Sequence, residues 1–90
     1  MSISVISQAD NETLQALGVS NWPIWQKQPA TFPWFYEAQE VCYLLEGEVL
    51  VTPSNGVPIH IQAGDLVTFS QGLRCTWQII KPLKKHYHLN

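Results

Sequence analysis

The sequence predicts one all-β domain, a sandwich or barrel, with a single short helix near its N-terminus. Three observations lead there. From residue 34 onward, apolar residues recur every second position, as they do in strands that bury one face. Turn signals separate these runs, so that a new strand begins about every 8–10 residues, the spacing of a sandwich or barrel. No connection has room for a crossover helix, which excludes parallel βαβ architecture. The size and composition agree. Ninety residues make one domain, long enough to bury about 60–65% of the unfolded surface. A chain that is 46% hydrophobic and only 13% charged is no disordered segment.

The elements follow in order. Ile3 to Ser7 has the character of a short edge strand. Asp10 offers an N-cap, Leu14 and Leu17 lie one turn apart, and Gly18 supplies the stop, which predicts a helix of about two turns. These first 18 residues are expected to pack on the outside of a barrel formed by residues 19–90. Trp34, Tyr36, Ala38, Glu40 and Cys42 share one parity; Val41, Tyr43 and Leu45 share the other. Both faces are therefore expected to be covered. Val49 and Val51 continue, and Asn55-Gly56 predicts a tight hairpin whose two central residues both take positive φ. In the next strand, Val57, Ile59 and Ile61 alternate with Pro58, His60 and Gln62. Pro58 cannot donate to a ladder, which places that strand at an edge or a bulge. Ala63-Gly64-Asp65 and Ser70-Gln71-Gly72 bracket the apolar run Leu66 to Phe69. Cys75, Trp77 and Ile79 form the next alternation. Pro82 is expected to break it, leaving a last strand with Lys85, Tyr87 and Leu89 on one side.

The formal net charge of −2 gives no basic footprint for nucleic acid. Lys81, Lys84 and Lys85 read as a solvated basic face. The N-terminal residues lack a basic region followed by an apolar stretch, and no run reaches the length of a membrane span, so a cytoplasmic protein with no membrane partner is expected. Cys42 and Cys75 then read as reduced thiols. There is no CxxC and no Cys/His pair at zinc-finger spacing, and His86 and His88 read as a surface pair.

Two stretches carry a resemblance. Glu40 to Gly47 reads E-x6-G, and Gly64-Asp65 through Ser70, Gly72 and Cys75 follows the G-x5-P-x-G-x2-H pattern with Ser70 in place of Pro and Cys75 in place of His. These resemble the two motifs of the cupins, which are jelly-roll (double-stranded β-helix) barrels. Gly47, Gly64 and Gly72 are expected where strands reverse, since glycine takes positive φ without steric cost. Phe32-Pro33-Trp34, Cys75-Thr76-Trp77, Lys85-His86-Tyr87 and Trp22-Pro23-Ile24-Trp25 extend the likeness. It is to the small single-domain cupins grouped with (S)-ureidoglycine aminohydrolase and the ethanolamine-utilisation Q protein. The resemblance implies a single-domain cupin that forms a homodimer through its sheet edges.

The departures from the pattern carry the functional expectation. Metal-binding cupins place an H-x-H shortly before the Glu and one His in the second motif. Here those positions read Trp34-Phe35-Tyr36 and Cys75. Of four ligands only Glu40 remains, so no cofactor is expected. The residues predict that Trp34, Tyr36 and Trp77 line the barrel interior, with Lys85 and Tyr87 at its rim. Such an interior would bind an unidentified small molecule. Glu40 and Cys75 are the candidate catalytic groups. Glu40 is expected either inside the barrel mouth or paired with a Lys or Arg at the rim. Two alternatives stand beside this: a metal-assisted enzyme resembling ureidoglycine aminohydrolase, with Glu40 and Cys75 holding a divalent ion, and an accessory protein whose barrel is filled. One fold hosts many functions, and the sequence leaves open whether this one is an enzyme.

Overall fold

The chain forms seven antiparallel strands in the computed structural model, which describes residues 2–90. They are β1 (Ile3–Ile6), β2 (Ile24–Lys27), β3 (Ala30–Phe35), β4 (Glu40–Pro53), β5 (Ile59–Gln62), β6 (Leu66–Phe69) and β7 (Arg74–Leu89). One helix, α1 (Asn11–Leu17), and a 3-10 turn at Val19–Asn21 separate β1 from β2. Two strands, β4 and β7, are long enough to serve two layers. Their mutual pairing, from Glu40↔Leu89 to Pro53↔Cys75, is the spine of the fold. In the first layer the order is β5-β4-β7-β3, using the C-terminal half of β4 and the N-terminal half of β7. The second layer is β1-β6-β4-β7-β2, using the other halves. The inner faces meet: the Phe69 ring of the second layer lies 5.6 Å from the Trp77 ring of the first.

Alternation explains the core. Cys42, Leu44, Val67 and Phe69 are fully buried from the second layer, and Val49, Val51 and Ile61 from the first. The buried phase of β4 changes from even to odd positions between Leu44 and Val49, because the register with β7 shifts three times there. A bulge of this kind bends a strand and re-aims its side chains. Both spine strands thereby pass from one layer to the other.

Several expectations change at this bend. Pro82 does not end a strand. β7 runs through it, because Pro82 falls in the irregular stretch where no ladder donor is needed. Gly47 is not at a reversal either. It sits inside β4 with φ 113°, and a Cβ there would lie 2.8 Å from the Pro82 carbonyl oxygen. Close approach of two backbones is the reason for glycine at this point. The run from Trp34 to Cys42 is two strands, β3 and β4, separated by a turn, and Ile24–Lys27 is a strand that periodicity did not signal. In the Asn55-Gly56 turn only Asn55 has positive φ, at 65°. The hydrogen bond from Gly56 N–H to the Pro53 carbonyl, 3.0 Å, makes Ser54 and Asn55 the central residues.

The helix signals hold. An Asp10 carboxylate oxygen accepts from Thr13 N–H at 2.8 Å, and Gly18 closes the helix in the left-handed region at φ 70°. No residue of α1 is buried. β1 joins the edge of the second layer by pairing with β6. No helix is long and apolar enough to cross a membrane among the described residues.

Candidate functional site

The turn between β3 and β4 brings three side chains to one end of the barrel. Trp34 is near the end of β3, Tyr36 follows it, and Glu40 opens β4. Trp77 faces them from the first layer; Lys85 and Tyr87 face them from the second. All six line one cleft of about 550 Å³ between the layers. Lys85 stands opposite Trp25 of β2, which lines the same cleft.

The cleft is built around a buried ion pair. Lys85 Nζ donates to Glu40 Oε2 at 2.7 Å, with Glu40 7% and Lys85 6% exposed. Two indole rings cover the ammonium, Trp77 at 4.7 Å and Trp25 at 5.2 Å from ring centroid to Nζ. Each contributes about 0.5–2 kcal/mol of cation–π attraction. Tyr36 is fixed on two sides: its ring stacks on Phe69 at 4.7 Å and its hydroxyl accepts from Trp77 Nε1 at 3.2 Å. Burial, reinforced by the Glu40 carboxylate, pushes the Tyr36 hydroxyl well above the usual phenol range, so it stays protonated.

The placements correct several expectations. Lys85 belongs neither to a solvated basic face nor to the rim; only Lys81 and Lys84 keep their exposure, at least in part. Glu40 is inside the barrel, and its lysine partner is buried there with it rather than at the rim. Trp34 lines the cleft at its mouth and is not part of the packed core: it is 47% exposed, with its ring edge-on to Phe32 at 6.3 Å. Cys75 is not in the cleft. It packs in the core opposite Trp34 and Pro53, and its thiol lies 3.8 Å from the Trp34 carbonyl oxygen. Burial pushes the Cys75 thiol up, and it pushes Cys42 up to about 12. Neither is a thiolate near neutral pH.

A metal ion does not fit these donors. Among the described residues no three His, Cys, Asp or Glu side chains are gathered as an ion would require. The one carboxylate at the site already holds an ammonium at 2.7 Å. The histidines lie elsewhere. His60 bonds Glu48 at 2.6 Å, His86 Nδ1–H donates to the Trp22 carbonyl at 2.9 Å, and His88 stacks on Trp22 at 5.3 Å. Trp25 and Phe32 are lining residues that the sequence did not assign to the site. Their signal was available only through register: Trp25 pairs with Lys85, and Phe32 with Trp77.

The antiparallel two-layer barrel described above is the fold of the cupins. The chain belongs to the EutQ-like cupin domain family, whose model matches residues 14–87. A DUF861 family protein from Thermotoga maritima is 44% identical, with 99% of this chain and 100% of that chain covered and a TM-score of 0.95. A putative ethanolamine utilization protein Q from Salmonella typhimurium is 26% identical, with 73% of this chain and 53% of that one covered and a TM-score of 0.66. A DUF861 family protein of unknown function from Pseudomonas syringae is also 26% identical, covering 74% of this chain and 29% of that one at a TM-score of 0.68. No curated protein sequence matches this chain.

Proposed function

We propose that this cupin binds a small organic molecule in the cleft and does so without a metal ion. The observation that carries this is the Glu40–Lys85 pair. Two charges removed from water are weak stabilisers of a fold, since desolvation offsets most of their attraction. An apolar pair would fill the space at lower cost. A buried pair that opens into a ring-walled cleft is the arrangement of a binding site, in which a few polar groups orient a mostly apolar ligand. The Lys85 ammonium already holds the one carboxylate of the cleft that a metal ion could use.

The test is a screen of ring-bearing fragments by intrinsic fluorescence, since Trp25, Trp34 and Trp77 all line the cleft. Saturable quenching that Trp34→Ala weakens is the expected result. Elemental analysis is expected to find no stoichiometric transition metal, and about one ion per chain lost on Glu40→Gln would overturn the metal-free reading. The same proposal places the protein in the cytoplasm as a homodimer. Supporting this are its two cysteines, both free and buried, and its four strands β1, β2, β3 and β5, each paired on one side only. Light scattering at micromolar concentration checks the dimer.

A further inference from the structure

We infer that the ligand, on the reading that the cleft binds one, is a flat neutral molecule carrying an amide-type edge on an unsaturated ring. The polar groups at the site are matched in a particular way. Lys85 directs one of its three N–H groups to Glu40 Oε2. Glu40 Oε1 accepts no hydrogen bond from the described residues, and no buried side-chain oxygen or nitrogen among them lacks a partner, so Oε1 is open to the cleft. The cleft thus presents a free carboxylate oxygen beside an ammonium with unused N–H groups. Its complement is a hydrogen-bond donor next to an acceptor: an N–H toward Glu40 and a C=O toward Lys85.

Charge decides between neutral and ionic ligands. The pair is neutral as a unit and both partners are over nine-tenths buried. A carboxylate ligand would face Glu40, and an ammonium ligand would face Lys85. Either leaves one uncompensated charge in a poorly solvated place, which is costly. The one other charged lining residue, Glu37, is exposed, where water and salt screen it. An amide edge adds two hydrogen bonds and no net charge. Phe32, Trp34 and Tyr87 supply ring faces for the body of the ligand.

Benzamide, benzoate, benzylamine and toluene are the probes, titrated at neutral pH and followed by tryptophan fluorescence and by the indole N–H resonances of Trp25 and Trp77. Benzamide is expected to bind about tenfold or more tightly than the two ions, the margin set by a buried polar group left badly paired. Glu40→Gln leaves Lys85 without its counter-charge and is expected to reverse the order, with benzoate ahead of benzamide. A purely structural role for Glu40 would not invert a preference. Should Glu40→Gln fail to fold, the double variant Glu40→Leu/Lys85→Met serves instead, and there the advantage of benzamide over toluene is expected to vanish. Benzoate or benzylamine binding the native protein as tightly as benzamide overturns the amide class and leaves cleft binding intact. No probe moving either indole resonance overturns both.

Discussion

The two layers of this barrel bury different chemistry. Between them, the first layer's β4, β5 and β7 bury Val49, Val51, Ile61 and Ile79 with Trp77, an interior that any small barrel needs. The second layer buries Leu44, Val67, Phe69 and Leu83 as well, but its inner face also carries Glu40 and Lys85. Both charges come from this one layer, on adjacent spine strands. The first layer answers them with rings: Trp77 lies over the ammonium and Tyr36, at the end of β3, bonds Trp77. The difference separates a part of the molecule selected for packing from a part that packing alone would not produce.

The largest expected effect breaks that distinction from the second layer. Lys85→Ala strands a buried carboxylate and should lower unfolding free energy by about 3–5 kcal/mol, whereas Glu40→Leu/Lys85→Met should return to within about 1 kcal/mol of the native protein or exceed it. Urea denaturation measures both, and a single variant as stable as the double would show the pair to be unimportant. Ile61→Ala tests the first layer. It should cost about 2–4 kcal/mol through its cavity while leaving probe affinity in the cleft unchanged. Next comes a pH effect. The buried Cys42 thiol titrates at about 12 when folded and near 9.0 when unfolded. The unfolded chain therefore releases its proton first as pH rises. The contribution is complete below pH 9 and is lost between about 9 and 12, at up to about 1.4 kcal/mol per pH unit. Urea midpoints between pH 8 and 11 should fall, and Cys42→Val should flatten the slope. The smallest effect on stability is that of Trp34→Ala, within about 1 kcal/mol because the ring is half exposed. Its consequence should show in probe affinity, and a large drop in melting temperature would place Trp34 with the core instead.

Local signals were legible in the sequence where the cause is local. Asp10 and Gly18 bound the helix because capping depends on a few neighbouring backbone groups. Glycine-bearing turns and alternating runs gave the strands for the same reason. Register was not legible. That Lys85 lies inside rather than on the rim follows from its pairing with Leu44 and Trp25, each far away in the chain. The passage of β7 through Pro82 depends on the irregular register of β4 opposite it. The turn that parts β3 from β4 was hidden too, since alternation read the two strands as one run. The resemblance to cupins supplied the barrel and pointed to Glu40 among the site residues; the cation beside Glu40 needed the fold.

The spine pairing has a further consequence for how the site comes into being. Glu40 and Lys85 lie 45 residues apart, at the end of the β4–β7 pairing that closes the longer loop. Contacts of that kind form slowly and late in folding. No single hairpin of this molecule contains both halves of the ion pair. A partially folded intermediate would therefore have nothing to offer a ligand, and occupancy of the cleft would be linked to the global equilibrium rather than to any local one. A ligand present at one hundred times its dissociation constant would raise the stability of the whole protein by about 2.7 kcal/mol. Hydrogen exchange in the most protected amides of β4 and β7 should slow by the same factor as the melting curve implies.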